Sequence, residues 1–458
     1  MAKRFTVPDG WVARGFTFEV EWPDDPAVVH SHFGARRYAF NWALSQVRAD
    51  MDARKRDPAH QSVPWDFRAL RNEWNRVKRD LAPWWTANSK EAYATGITDL
   101  VWALDNWKAS RAGERKGRKA GFPKYRSRRK DRNRVRFTTG AIHLRPGRRA
   151  VILPVIGELR SKESTRRLER LTAAGKARIL NATLTERWGR LFVSFGCIVR
   201  QQRPAPARPA ARCGVDLGLR WLATVADSDG GVFEVPNPAP LRATLTARRR
   251  AGRQMSRRIY GSKGYNAAKT KRAALDRRCV HLRKEATHQL TSRLAGEYGE
   301  IVVEDLDIAG MKRSMGRRAF RRSVSDAALG QIRPQLAYKT AWRGGRLIVA
   351  GRWFASSQIH HGCGCRLAGG RLDEWKTCTV TGVRVHRDRN AALNLRDWPE
   401  TNASLGVVDA QAPPGMPGGQ AHGTSRGRGR PRKTRPSGQA VADEARTITE
   451  PREGVPAA

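Results

Sequence analysis

The sequence has no apolar run of 18 or more residues, which excludes a membrane-spanning helix. It is poor in acid: 42 Asp and Glu face 88 Lys and Arg, a formal net charge of +46. Such a field attracts polyanions, of which nucleic acid is the natural one. Cysteine is scarce, six in 458 residues, too few for a secreted disulfide scaffold. The opening Met1-Ala2-Lys3-Arg4-Phe5-Thr6-Val7-Pro8-Asp9-Gly10 lacks the apolar centre of a signal peptide, so a cytoplasmic protein working at the nucleoid is expected. From Thr401 onward there is no Phe, Trp or Tyr, while Gly, Pro and Ser abound. Residues 399–458 therefore read as a disordered basic tail, with Arg426, Arg428, Arg430, Arg432 and Lys433 as a nonspecific nucleic-acid contact.

What is present is a globular chain. At roughly 150 residues per domain its length suggests about three domains, and 40% hydrophobic residues with 15 Trp rule out global disorder. Residues 11–22 alternate as a strand. Asp25-Pro26 then opens a helix, with Val29, Phe33, Phe40, Leu44, Val47 and Met51 on one face. A second helix is expected from Asn88, with Glu91 closing a capping box and Ile97, Leu100, Val101, Leu104 and Trp107 as its apolar side. Nine of the Trp fall within the first 107 residues, which predicts a helix-bundle core rather than base-stacking platforms.

Between Arg111 and Arg136 there are 13 Lys and Arg and only two acids, broken by Gly117, Gly121, Pro123, Phe122 and Tyr125. This interleaving predicts a phosphate-contacting loop, with Arg115, Lys116, Arg118, Lys119, Lys124, Tyr125 and Arg126 as its contacts. Residues 134–160 and 178–200 alternate as strands, the last hairpin turning at Arg187-Trp188-Gly189-Arg190. Together with 11–22 they predict a small β-barrel split by the helical insertion. Residues 203–211 have a linker's composition. Residues 239–299 are basic and helix-prone with a break at 261–264, and Leu282, Leu290 and Leu294 mark the apolar side of the second helix.

Three local patterns carry chemistry. Cys213-Gly214-Val215-Asp216-Leu217-Gly218, followed by an apolar stretch from Trp221, reads as strand, turn, strand, with Asp216 beside glycines. Ile301-Val302-Val303-Glu304-Asp305-Leu306 is a buried strand delivering an acid at its end. His386-Arg387-Asp388-Arg389-Asn390 opens a helix with Asp388 in its first turn. Each alone is what a capping or loop acid looks like. Spaced 88 and 84 residues apart, the three fit a ribonuclease H-like metal site. Carboxylate oxygens are what Mg²⁺ prefers, and clustered like charges need cations between them. Two ions about 3.5–4 Å apart would hold attacking water and leaving 3′-oxygen in line at one phosphate.

The chain resembles TnpB, the transposon-encoded RNA-guided endonucleases related to type V CRISPR effectors. The resemblance rests on Gly34-Ala35-Arg36-Arg37-Tyr38-Ala39-Phe40-Asn41-Trp42, Asn88-Ser89-Lys90-Glu91-Ala92-Tyr93, Gly121-Phe122-Pro123-Lys124-Tyr125 and Arg136-Phe137-Thr138-Thr139-Gly140. It continues through Gly214-Val215-Asp216-Leu217-Gly218, Val303-Glu304-Asp305-Leu306-Asp307-Ile308-Ala309-Gly310-Met311 and Gln335-Leu336-Ala337-Tyr338-Lys339-Thr340-Ala341-Trp342, and covers most of residues 15–398. It implies an α/β multi-domain fold: an RNase H-like (RuvC) nuclease domain over 212–398, a split wedge barrel over 1–25 and 115–202, and an inserted helical recognition domain over 26–114. By the same resemblance Asp216, Glu304 and Asp388 fall on the three acids of the nuclease site, expected to hold two Mg²⁺; Glu304 is also expected to orient water, and Arg387 either meets charge on the scissile phosphate or is a surface arginine. The implied partners are a guide RNA from the same element and a double-stranded DNA target beside a short motif that the protein reads. Two other readings stay open: a nuclease-inactive RNA-guided DNA-binding repressor or decayed copy, and a DNA transposase or resolvase built on the same core.

The chain departs from the family between residues 356 and 384, where two C-x-x-C pairs would form a zinc knuckle. Here His360 takes the first place, Cys363 and Cys378 follow, and Thr381 stands in the fourth. Histidine is an accepted Zn²⁺ ligand and threonine is not a usual one. Either Cys365 or His386 completes a rearranged site, with His361 a spare donor, or the knuckle no longer binds zinc. His386 also replaces the acid usually found two residues before the catalytic aspartate, while Asn390 remains. Cys197, Cys213 and Cys279 lie in strand or helix patterns and are expected to be packing residues.

Overall fold

The computed structural model describes residues 6–115, 118–138, 140–147, 149–200, 204–314, 316–370 and 373–401. The tail expected from residue 399 begins later, since residues 399–401 finish the last helix; from 402 onward it lies, with its arginine cluster and Lys116, outside the described residues. The first half runs β1 (Trp11–Val20), α1 (Pro26–Arg56), α2 (Phe67–Leu81), α3 (Lys90–Arg111), β2 (Arg134–Phe137), β3 (His143–Arg145), β4 (Ala150–Leu153), β5 (Gly157–Arg160), α4 (Arg166–Ala173), β6 (Ala177–Arg187) and β7 (Arg190–Arg200).

Helix α1 begins where the Asp25 carboxylate accepts the Ala27 N–H at 2.8 Å, with Pro26 in the first helical position, where no N–H is needed. Val29, Phe33, Phe40, Leu44 and Val47 are buried, as their spacing predicts. The cap of α3 is Ser89 and not Asn88: its hydroxyl accepts the Glu91 N–H at 3.3 Å. Glu91 makes no capping box, because its carboxylate accepts a hydrogen bond from Thr138 at 2.8 Å, just past β2. Trp42 and Trp74 are core residues packed edge to face, whereas Trp84 and Trp102 are 43% and 46% exposed, so the tryptophans divide between core and surface.

The strands expected to form a barrel make two antiparallel sheets, β1-β7-β6-β2 and β3-β4-β5. Backbone bonds join them at one end, Glu21 N–H to Arg160 and Lys162 N–H to Glu19 at 2.8 Å each. Helices and sheets share one continuous core running from Phe18 to Val199. Inside it Arg36, 2% exposed, pairs with Asp99 and with Asp131 at 3.0 Å, while Arg126 and Arg134 reach Asp99 at 2.9 and 2.7 Å. The charges of α1, α3 and the basic loop are thereby locked together.

The second half comprises β8 (Arg208–Asp216), β9 (Trp221–Asp227), β10 (Val232–Pro236), α5 (Pro240–Ser256), α6 (Lys263–Glu297), β11 (Tyr298–Glu304), α7 (Ile308–Ser314), α8 (Arg318–Ala327), α9 (Ile332–Ala341), β12 (Arg346–Ala350), β13 (Leu367–Ala368), β14 (Trp375–Cys378), β15 (Arg384–His386) and α10 (Arg387–Thr401). Its main sheet has the order β10-β9-β8-β11-β12, antiparallel from β10 to β8 and parallel across β8, β11 and β12. The expected linker gives up residues 208–211 to β8, since Arg208 pairs in register with Tyr298 and its guanidinium meets Glu297 at 2.9 Å and Asp227 at 3.2 Å. Leu290 and Leu294 of α6 are buried, but Leu282 is 40% exposed and leaves the expected stripe.

Alternate residues of β11 serve opposite faces of this sheet. Ile301 and Val303 join the core that contains Leu290, Leu294, Ile332 and Leu336, and Val302 joins Ile348, Leu395 and Trp398 under α10. Gly214 makes that second packing possible, because a Cβ there would run into the backbone of Ala392 and Arg396 in α10. Cys197, Cys213 and Cys279 are all buried.

Candidate active site and thiol cluster

Val215 of β8 pairs with Val303 of β11, so Asp216 and Glu304, each the next and last residue of its strand, stand side by side at the carboxyl ends of two parallel strands. Neighbouring strands lie about 4.8 Å apart. Asp388 arrives from the first turn of α10, which Gly214 allows to lie against β8. The three acids line one open pocket of about 240 Å³ with Leu217, Gly218, Ser357, Gln358, Lys376 and Arg387. Burial raises Asp216 well above the usual carboxylate range, the charges of Glu304 and Asp388 add to it, and Arg387 opposes it. Burial likewise pushes Glu304 up against the hydroxyl of Ser356. An arrangement that makes carboxylates reluctant to ionise is one that a divalent cation relieves, and an all-oxygen donor set suits Mg²⁺.

The loop from Ser356 to His361 is the part of this site that sequence reasoning missed. The Ser356 hydroxyl donates to Glu304. Asn390 and Asn394, one turn apart on α10, clamp the loop: Asn390 donates to Ile359 at 2.6 Å and accepts the His361 N–H at 2.9 Å, and Asn394 donates to Ser356 and Ile359, both at 2.7 Å. The i, i+4 spacing of the two asparagines behind Asp388 was the available signal. Arg387 donates to its neighbour Asp388, Nε at 2.8 Å and Nη2 at 2.7 Å, so its guanidinium is turned to the acid and not left free.

His360, Cys363, Cys365 and Cys378 bring one ligand atom each within 4.8 Å of one another. The Sγ of Cys363 lies 3.2 Å from His360 Nδ1 and 2.7 Å from Cys365, which is 3.1 Å from Cys378. Thr381 contributes no ligand atom to this group; its backbone N–H donates to Cys378 Sγ at 3.2 Å. Hydrogen bonds, first those of Thr381, pull the Cys378 thiol down to about 5, while the Cys363 and Cys378 sulfurs push Cys365 up to about 11. His361 and His386 are elsewhere: His361 pairs with Asp397 at 2.6 Å, and His386, ending β15, reaches Glu374 at 3.3 Å. Four soft donors so close could hold one metal ion.

In the basic loop Arg115, Arg118, Lys119, Lys124 and Tyr125 are exposed, with the Arg48 guanidinium 4.8 Å from the Tyr125 ring. Arg126 differs from them. Its guanidinium sits 3.6 Å over Phe40 and is committed to Asp99, and its N–H donates to Asn41. It holds the loop down and is not free to meet a phosphate.

Residues 196–315 match the OrfB_IS605 family, described as "Probable transposase", and residues 330–395 match the family described as "Cas12f1-like, TNB domain". A protein of Mycobacterium tuberculosis strain H37Rv named "Putative RNA-guided DNA endonuclease" is 42% identical over 474 residues, covering 99% of each chain. A protein of Escherichia coli K12 named "Putative RNA-guided DNA endonuclease InsQ" is 26% identical, covering 79% of this chain and 86% of its own. Among solved structures, a Cas12f1–sgRNA–target DNA complex is similar with a TM-score of 0.40 and 13% identity, over 85% of this chain and 99% of that one.

Proposed function

The chain belongs to the TnpB family of RNA-guided DNA endonucleases, and from that premise we propose that it cuts guide-matched DNA beside a short protein-read motif, by phosphodiester hydrolysis at Asp216, Glu304 and Asp388. The observation that carries this reading is the convergence of those three acids, from two strands and a helix 172 residues apart at the extremes, on one pocket. The sheet order around them, three antiparallel strands continued by two parallel ones, supports reading this part as an RNase H-like nuclease domain. On the same reading the two antiparallel sheets are the wedge and helices α1 to α3 the recognition part, though they share one core.

Asp216, Glu304 and Asp388 would hold divalent cations, with Mg²⁺ the ion their oxygens suit. Such ions supply Lewis acidity at the phosphate and a water nucleophile that is deprotonated near neutral pH. The chain's own residues set the stage: Ser356 fixes the Glu304 carboxylate, Arg387 tempers the charge of Asp388, and Asn390 and Asn394 hold the loop carrying Ser356. Guide pairing would supply sequence specificity, and the basic surface, +46 over the whole chain, would grip the heteroduplex through its backbone. His360, Cys363, Cys365 and Cys378 would hold one Zn²⁺, Cys365 replacing the fourth ligand that Thr381 cannot be. Metal analysis of the purified chain should then find about one zinc per molecule.

The test is to purify the complex expressed from its own flanking DNA and challenge it, in Mg²⁺, with plasmids carrying the guide-matched target beside randomised bases. Cuts confined to one flanking motif are expected. Enrichment of bound plasmids without cuts would replace the nuclease by an RNA-guided repressor. The description "Probable transposase" makes one further demand on the same assay. Joining of a cut 3′ end to new DNA would favour transposition, and cleavage without joining is the expected result.

A further inference from the structure

Lys376 is charged, 4% exposed and built into the wall of the catalytic pocket. It stands in β14 between Trp375, which is 50% exposed, and Thr377. Strand alternation puts it on the same face as Cys378, two residues on. The face that delivers Cys378 to the thiol cluster therefore delivers Lys376 to the acids. Pairing with β15, Lys376 opposite Val385, fixes the register, and a slip of one residue would turn both side chains outward.

An ammonium has three hydrogens to give. Lys376 gives one, to the backbone oxygen of Ser357 at 3.0 Å. Among the described residues no ion pair within 4.0 Å is formed by Nζ; Asp373 is the carboxylate whose charge favours it, at longer range, and Arg387 opposes it. A buried cation in this state is expensive unless an anion joins it. Arg387, the other cation at the pocket, is already turned to Asp388. The missing partner must be anionic, rich in acceptor oxygens and able to enter a pocket lined with acids. A nucleic-acid phosphate meets all three conditions.

Resting on the endonuclease reading above, we propose that Lys376 grips a phosphate of the DNA strand being cut, adjoining the scissile bond. The small sheet β13-β14-β15 thus carries a substrate contact into the nuclease pocket as well as a metal cluster. Lys376 holds the strand in register over Asp216, Glu304 and Asp388, while its bond to Ser357 ties it to the loop that orients Glu304.

The test uses the full chain in complex with its guide RNA. K376M should cut at least about 100-fold more slowly, the range seen when a positioned donor is removed from a reacting phosphate or oxyanion, with guide-directed DNA binding unchanged. K376R should recover most of the rate. On DNA with a neutral methylphosphonate at the contacted position, wild type and K376M should cut at similar rates, since the charge that Lys376 meets is gone. K376M cutting at the wild-type rate, or losing the same factor on every methylphosphonate substrate, overturns the proposal. Should the lysine variants not assemble with RNA, a wild-type complex indifferent to methylphosphonate at each phosphate flanking the cut overturns it as well. A wild-type complex that leaves guide-matched DNA uncut fails at the endonuclease reading itself, a result distinct from a loss confined to K376M.

Discussion

Asp216→Ala removes the acid that the pocket makes most reluctant to ionise, and cutting should be abolished while guide-RNA binding survives. Cleavage and RNA-shift assays on the same preparation check both halves of that expectation, because the carboxylate sits at a strand end and supports no core packing. Ser356→Ala is subtler. It takes away the hydroxyl bound to Glu304 and leaves the acid in place. One hydrogen bond to a charged group is worth roughly 1.5–3 kcal/mol, so the single-turnover cutting rate should fall by about tenfold or more, with DNA binding unchanged. At this scale the three acids could be picked out in the sequence only as a set and with the family resemblance around them, since each alone looks like a capping or loop acid. The Ser356 bond was not, because it joins residues 52 apart that meet only when the loop is clamped by Asn390 and Asn394.

Elements meet through backbone, and Gly214 is where that matters most. Gly214→Val would force a side chain into the backbone of α10 at Ala392 and Arg396, and α10 carries Asp388. Cutting should be lost even though no acid has changed, and hydrogen exchange should show α10 losing protection first. The sheet β13-β14-β15 offers a second expectation. Cys365→Ser should lower bound zinc well below one per chain, while Thr381→Ser should leave it unchanged, since Thr381 gives Cys378 hydrogen bonds that serine keeps and supplies no ligand atom. Helices α1 and α3, strands β1, β6 to β8 and β11, and the break between α5 and α6 followed from periodicity, whereas α2 and α7 to α9 were not anticipated and the cap of α3 is Ser89. Which of the spare donors joins the cluster did not, for His361, Cys365 and His386 lie within 26 residues and only the hairpin turns decide their directions.

Among the described residues the most extensive apolar core is the one shared by the helices and the antiparallel sheets. Asp99 sits there 5% exposed, answering Arg36, Arg126 and Arg134. Asp99→Ala leaves Asp131 as the one carboxylate answering the buried Arg36 among the described residues and should cost about 3–5 kcal/mol, read from denaturant unfolding. Burial alone would raise the Asp99 carboxyl, but Arg36, Arg134 and Arg126 overcome it and hold it below its ordinary value. Asp50 is lowered too, burial being outweighed by bonds from the Val63 N–H, His60 and Trp65. A depressed carboxyl stabilises the fold above its unfolded value, about 3.9, and that contribution drains away as pH falls through the lower folded value. Unfolding followed against pH should therefore show the wild type losing stability on acidification below about pH 4, with Asp99→Ala losing less of it.

Charge balance, element periodicity and the set of three acids were determined by the sequence alone, because each depends on residue identity and spacing along the chain. The continuous core of helices and sheets, the commitment of Arg126 to Asp99, and the placing of Lys376 beside the acids were decided only in three dimensions. The physical reason is common to all three. A buried charge declares its role through the partner it finds, and those partners lie tens to hundreds of residues away along the chain. Composition can say that the molecule is basic; only the packing of β14 against the pocket says which of its cations is left for a phosphate.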